Sequence, residues 1–286
     1  MNLKIKQIPW LIKQSITLDV KFFCISRWHL TKKIDFLFIK YFLIIKHLFK
    51  KFILNESFCL FDKKKVFYDS SLGLVGYQSI LCRHQKLIKS AKISNVHTII
   101  DIGANVGFFS MLCSDLFSQS KIYSFEPIQE TFQCLEKNLI GYANARAFNL
   151  AISDFTGKAK MNFNDQDSVV SQIADHGSVD VEVKKLDDII VENKIDNIDI
   201  LKIDTESFEA HVLRGGTEAL KKTKYLFIEV NMETDNQNYT ISSLFGLLST
   251  ENYDFQLVGF RNYNDVSEGR MRLMDALLIN TKYGSI

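Results

Sequence analysis

Five short apolar runs, most of them separated by helical periodicity, constrain this chain more than any other feature. His97–Ile102, Lys121–Phe125, Ala145–Leu150, Asp199–Asp204 and Tyr225–Val230 have strand character; Phe108–Phe117, Pro127–Leu139 and Glu206–Leu220 have helical character. Strands that are apolar throughout are buried on both faces, and strand–helix alternation implies right-handed crossovers. The sequence therefore predicts an α/β fold with a parallel sheet covered on both sides. A polar stretch, Asp154–Val183, with a turn at Gly157 and alternation over Lys158–Phe163, reads as an inserted hairpin. A strand pair around Cys59–Tyr68 and a helix around Gln78–Lys92 come before the alternating region. After it come a helix near Ser242–Leu248 and two strands, Phe255–Phe260 and Ala276–Asn280, which suit an antiparallel pair at the sheet edge.

The first 55 residues differ from the rest. Net charge is +2 over 286 residues, but residues 1–55 hold ten Lys and Arg27 against Asp19 and Asp35, a balance of +9 that leaves −7 for residues 56–286. We therefore divide the chain into a basic helical extension, 1–55, and a second domain, 56–286. From Lys32 to Leu54, a step of 100° per residue gathers Lys32, Lys33, Lys40, Lys46, His47, Lys50 and Lys51 on one arc and Leu37, Phe38, Tyr41, Phe42, Ile45, Leu48, Phe49 and Phe52 on the other. An amphipathic helix of this kind packs on its own domain or on a homodimer partner, or lies peripherally on an anionic membrane through residues 32–54. No uninterrupted apolar segment follows Lys4 and Lys6, and Asp35 and several lysines break the greasiest stretch, Ile34–Leu54. A cytoplasmic protein, at most peripheral to the inner face of a membrane, is expected. The five scattered cysteines and six dispersed histidines offer no zinc-binding spacing, and no zinc site is expected; a loosely held divalent ion on Asp204, Glu206 and Glu229 is the one alternative that the sequence leaves open, with nothing in it to favour a metal. An acidic main domain also speaks against nucleic acid as a partner.

The strongest local signal is Ile99-Ile100-Asp101-Ile102-Gly103-Ala104-Asn105-Val106-Gly107-Phe108. A strand ends in an acid, two glycines four apart bracket a turn, and a helix begins, which is where ligands of open α/β sheets bind. The spacing is neither the G-x-G-x-x-G that cradles a pyrophosphate nor a P-loop, so the expected ligand is a nucleoside without a polyphosphate. Glu126, ending the next strand 19 residues beyond Gly107, is placed to accept hydrogen bonds from both ribose hydroxyls, and Pro127 terminates that strand.

DIGANVGFFSM, YSFEPIQETFQCLEKNL, AISDFTGKAKMNF, VKKLDDI, LKIDTESFEAHVLRGG and LFIEVN, in this order, resemble the FkbM family of S-adenosylmethionine-dependent methyltransferases over about Thr98–Asn231. The resemblance implies a class I methyltransferase, Rossmann-like, with a seven-stranded, mostly parallel sheet whose last strand is antiparallel. It implies S-adenosyl-L-methionine as cofactor, held around Asp101, Gly103, Asn105, Gly107, Glu126 and Pro127. It also implies O-methylation of a hydroxyl on a sugar, glycan or similar small molecule. One departure is Ser207, where the family commonly has Gly. The alternative is a catalytically inactive methyltransferase-like domain serving as a membrane-associated scaffold.

O-methylation needs help with a weakly acidic hydroxyl proton. The acids available at strand ends are Asp204, Glu206 and Glu229, with Glu209 close by. Helix capping is the competing role for Asp204 and Glu209. Glu229 stands in a buried strand, where an acid needs a partner or a task, and Lys202 is the candidate partner. His211 reads as a helix-surface residue, and Arg214-Gly215-Gly216 as a helix C-terminal turn.

Overall fold

The computed structural model describes residues 73–162, 172–173, 179–206, 208–231, 241–250, 253–262 and 273–283, the segments 56–59 and 65–68, and positions 16, 19, 20, 30, 33, 34, 37, 40 and 41. A seven-stranded sheet forms its centre: β3 (Thr98–Ile102), β4 (Lys121–Phe125), β5 (Ala145–Phe148), β10 (Ile198–Ile203), β11 (Thr223–Asn231), β12 (Phe255–Asn262) and β13 (Leu273–Asn280). The order across it is β12-β13-β11-β10-β3-β4-β5. Strands β11, β10, β3, β4 and β5 pair parallel, while β13 runs antiparallel to both β11 and β12. The expected mostly parallel sheet with an antiparallel last strand is present.

Alternate strand residues divide between two cores, as a pleat buried on both faces requires. Ile99, Ile122, Ile200, Phe227 and Leu277 pack on one side with Leu87 and Ile88 of α1 (Gly73–Ser90) and Phe109 and Cys113 of α2 (Phe108–Leu116). Ile100, Tyr123, Leu201, Leu226 and Leu278 face the other side. There they meet α4 (Leu186–Glu192), α5 (Glu209–Arg214), α6 (Thr217–Lys221) and α7 (Ile241–Thr250). A third cluster joins α2 to α3 (Gln129–Leu139) and to Val66 of the hairpin β1 (Glu56–Cys59)–β2 (Lys65–Tyr68). Asn138 of α3 fastens that hairpin: its Oδ1 accepts the Phe67 N–H at 2.6 Å, and its Nδ2 donates to the carbonyls of Phe67 and Val106 at 2.8 and 2.7 Å.

Three local expectations are corrected. The stretch 154–183 is part of more than a hairpin: with the residues that flank it, β6 (Ala151–Ser153), β7 (Gly157–Asn162), β8 (Gln172–Ile173) and β9 (Val179–Lys185) form a second sheet in the order β6-β9-β7-β8. The helix expected over Glu206–Leu220 is two helices, α5 and α6. Its interruption is a close approach, since a Cβ on Gly215 would lie 1.9 Å from the Ser153 carbonyl oxygen. Finally, α3 begins at Gln129, leaving Pro127 in the loop ahead of it.

The amphipathic helix of residues 32–54 lies mostly outside the described residues. Of its basic arc, Lys40 is buried, donating to Asp19 Oδ1 and Gln78 Oε1 at 2.6 Å each, and Gln78 Nε2 donates to Asp19 at 2.7 Å. At this point the N-terminal segment docks on α1.

Candidate active site

The candidate residues gather at the carboxyl ends of the parallel strands β3, β4, β10 and β11. Between β3 and α2 the chain enters left-handed backbone three times, at Gly103 (φ +70°), Asn105 (+51°) and Gly107 (+91°). The Gly103 and Ala104 N–H groups both donate to the Phe125 carbonyl, at 3.1 and 2.9 Å, and the Gly107 N–H donates to the Ala104 carbonyl at 2.8 Å. The missing side chains point inward. A Cβ on Gly103 would meet the Asp204 carbonyl oxygen at 1.8 Å, and one on Gly107 would meet Leu135 Cδ1 at 2.6 Å. These glycines thus let the loop close onto β10 and α3.

Glu126 stands across from this loop, only 6% exposed. Its Oε2 accepts the Asn105 N–H and its Oε1 the Ile128 N–H, both at 3.0 Å. Asn149 Nδ2 donates to the carbonyls of Glu126 and Pro127 at 2.9 and 2.8 Å, fixing that turn from the far side. A fixed carboxylate that only accepts hydrogen bonds, at the end of β4, suits the paired hydroxyls of a ribose. The residues present therefore fit a nucleoside-bearing cofactor.

Asp101 has no exposed surface and acts from beneath the loop. Its Oδ2 accepts the Ser110 hydroxyl at 2.6 Å, and Ser110 Oγ lies 2.7 Å from Ser124 Oγ. Lys202 Nζ approaches Asp101 Oδ1 at 3.3 Å and Asp204 Oδ2 at 3.2 Å, and donates to the Gly103 carbonyl at 3.2 Å. The expected pair with Glu229 does not form because of register: Lys202 lies beside Asp101 on β3 and beside Phe227 on β11. Burial works to strip the Lys202 proton, yet the carboxylates of Asp204 and Asp101 hold its pKa above the ordinary value. A buried cation thus ties the glycine loop to the acids at the end of β10.

Asp204, Glu206 and Glu229 converge, each offering a carboxylate oxygen within 4.8 Å of the other two. Glu206 has φ +52°, a left-handed conformation that costs a non-glycine residue about 1–2 kcal/mol and is characteristic of functional loops. Ser207, the departure from the family pattern, lies outside the described residues. Glu209 turns away from the trio: its Oε1 accepts the Thr205 N–H at 2.8 Å and hydroxyl at 3.1 Å. His211 is half-buried, with Nδ1 2.9 Å from Asp154 Oδ2 and its ring stacked on Phe208.

Asp275 is the residue the sequence reasoning missed. It lies opposite Glu229 in the β11–β13 register, and both are buried. Burial first, then the charges of Asp204, Glu206, Asp275 and Glu209, push the Glu229 carboxyl well above the usual range. Burial likewise raises Asp275, to about 6, against the pull of Arg83, whose Nη1 is 3.4 Å away. A carboxyl with a raised folded pKa holds its proton more tightly when folded. Its contribution to stability is complete below the unfolded pKa of about 4 and is lost as the pH rises through the folded one. Between about pH 4.5 and 7 the protein is therefore expected to lose melting temperature relative to Asp275→Asn, by an amount equivalent to a few kcal/mol at most. Parallel melting profiles would refute that assignment.

The family model described as "Methyltransferase FkbM domain" matches residues 101–257, more than half of the chain. Hexuronic acid methyltransferase AglP of Haloferax volcanii is 24% identical over 172 residues, 58% of this chain and 70% of its own length. 2-O-methyltransferase NoeI of Sinorhizobium fredii is 27% identical over 150 residues, covering 46% of this chain and 62% of its own. 31-O-demethyl-FK506 methyltransferase FkbM of Streptomyces tacrolimicus is 27% identical over 155 residues, covering 42% and 60%. Among solved structures, the N-terminal domain of EvdMO1 with SAH bound aligns at a TM-score of 0.43 and 10% identity over 85% of this chain and 94% of that one. M. capricolum TrmK in complex with S-adenosylhomocysteine aligns at 0.42 and 15% over 70% of each.

Proposed function

The chain belongs to the FkbM methyltransferase family, and on that premise we propose that it moves a methyl group from S-adenosylmethionine to a hydroxyl of a sugar or glycan. One arrangement carries this reading. The Glu126 carboxylate faces the glycine loop, and three acids, Asp204, Glu206 and Glu229, converge at neighbouring strand ends of the same sheet. The first marks a nucleoside side of the crevice and the second an acceptor side. Two relatives, a hexuronic acid methyltransferase and a 2-O-methyltransferase, support a carbohydrate acceptor.

S-adenosylmethionine supplies a methyl group on a positively charged sulfur, already a good leaving group. Transfer exchanges a C–S for a C–O bond, leaves the bonding pair on sulfur and releases the hydroxyl proton. Alignment and handling of that proton are what the protein must provide. Glu126 would hold the ribose, and the 103–107 loop with Asn105 and Pro127 would form the wall around it. Asp101 and Lys202 keep that loop in register with the acid edge. Asp204, Glu206 and Glu229 are the groups that deal with the proton.

The basic 1–55 extension is proposed to bring the 56–286 domain to an anionic membrane surface on its cytoplasmic side. Ile16, Val20, Leu30 and Ile34 are exposed there beside the +9 charge, while buried Lys40 takes no part. Among the described residues, no helix is long and apolar enough to cross a membrane. One experiment tests both proposals: the full chain, with deuterated methyl donor, against hexuronic acids, hexoses and lipid-linked glycans, with and without anionic vesicles. Labelled methyl ether on a sugar and sedimentation with the vesicles are expected. Donor binding without transfer to any acceptor would favour the inactive scaffold, and a dimer that ignores vesicles would reassign the apolar face to a second copy.

A further inference from the structure

Buried carboxylates in excess of buried cations must be protonated or neutralised from outside the chain. Around the acid edge, Lys202 is shared between Asp101 and Asp204, and Arg83 is spent on Asp275. Glu229 is 5% exposed in a central strand and has neither a hydrogen-bond donor nor a cation among the described residues. Its neighbour across the strand pair is another acid, Asp275. Its carboxylate nevertheless comes within 4.8 Å of oxygens of Asp204 and Glu206, which are both only partly buried.

We propose that Asp204, Glu206 and Glu229 hold one hard divalent cation, of the magnesium, manganese or calcium class, facing the acceptor. The spacing suits it. Oxygens around one such ion sit about 3–3.4 Å apart when adjacent and about 4.2–4.8 Å apart when opposite, given metal–oxygen distances of about 2.1–2.4 Å. The donors are all carboxylates, with no imidazole or thiolate to favour zinc or copper. The backbone also supports the role: Glu206 is held in a left-handed conformation at the tip of the β10 loop, which turns its side chain toward the end of β11. Three monodentate ligands leave positions open, and two adjacent hydroxyls of a sugar are natural occupants. A hydroxyl bound there becomes more acidic, which relieves any single carboxylate of acting as the base. The inference rests on the reading of this edge as the acceptor side of an O-methyltransferase.

Manganese is the probe. Full-length protein stripped with chelator and titrated with Mn²⁺ should bind one ion per chain, measured by loss of the free-ion paramagnetic signal, and Mg²⁺ or Ca²⁺ should displace it. Glu229→Gln, and separately Glu206→Gln in case the buried variant folds poorly, should weaken Mn²⁺ binding at least about tenfold. Calorimetric affinity for S-adenosylmethionine should stay within about twofold in whichever variant keeps the wild-type circular dichroism. No Mn²⁺ on the wild-type chain, or unchanged affinity in both variants, would overturn the cation site. Because donor binding is read separately, donor affinity without Mn²⁺ leaves the methyltransferase reading standing, and Mn²⁺ binding without donor affinity removes that reading.

Discussion

Glu126→Ala is expected to abolish calorimetrically detectable binding of S-adenosylmethionine to an otherwise folded protein. The carboxylate does two things at once. It accepts the Asn105 and Ile128 N–H groups at 3.0 Å each, joining the glycine loop to the turn after β4, and on the proposed reading it also accepts the ribose hydroxyls. A hydrogen bond to a charged group contributes about 1.5–3 kcal/mol, so losing two ribose contacts weakens binding by roughly 10²–10⁴-fold. Alanine also leaves two main-chain donors without their acceptor and removes what holds Asn105 in its left-handed conformation. Glu126→Gln should fall between, because its amide keeps one acceptor oxygen and turns an NH₂ toward one of those N–H groups. Donor affinity within threefold of wild type in Glu126→Ala, with the melting temperature unchanged, would remove Glu126 from the site and undo the assignment of the nucleoside side.

The sheet could be read in the sequence because its strands are buried on both faces. Lys121–Phe125 is apolar or small at nearly every position and forms β4 over those same residues. What could not be read depends on contacts between distant residues. Strand β6 has three residues and β8 has two, too short to show a period, and they exist only through pairing with β9 and β7. The break between α5 and α6 comes from the Ser153 carbonyl against Gly215, although helical periodicity runs straight through it. The basic arc of the N-terminal helix took in Lys40, whose partners Asp19 and Gln78 are 21 and 38 residues away.

At the site, Gly103, Gly107, Glu126 and the acids at strand ends were visible as residue types at telling positions. Their partners were not. Lys202 follows the register and meets Asp101 instead of Glu229. Asp275 escaped because its strand was expected to start at Ala276, three residues after its actual start at Leu273 and one past Asp275, which hid a second acid inside an apolar run. The argument that singled out Glu229 applies equally to Asp275 once the strand is drawn from Leu273.

Gly103→Ala is expected to produce the largest loss of stability of any single methyl addition in the loop. Two costs combine. The residue sits at φ +70°, where a Cβ costs about 1–2 kcal/mol. The added carbon would also lie 1.8 Å from the carbonyl oxygen of Asp204 and 2.8 Å from its carbon, well inside any allowed contact. That carbonyl cannot swing aside cheaply, because the Asp204 N–H is bonded to the Ile102 carbonyl at 3.1 Å and the Asp204 side chain to Lys202. The loop must therefore move as a unit, pulling Gly103 O from Lys202 and Asn105 from Glu126. A total of about 3–5 kcal/mol is expected, in the range of severe single substitutions. Gly157→Ala is the control: it too has positive φ, +154°, but nothing lies within 4 Å of its Cβ, so only the backbone cost applies. Chemical denaturation of the two variants separates these terms. If Gly103→Ala unfolds at the same denaturant concentration as Gly157→Ala, the contact between the glycine loop and the end of β10 is too soft to hold the nucleoside side in register with the acids.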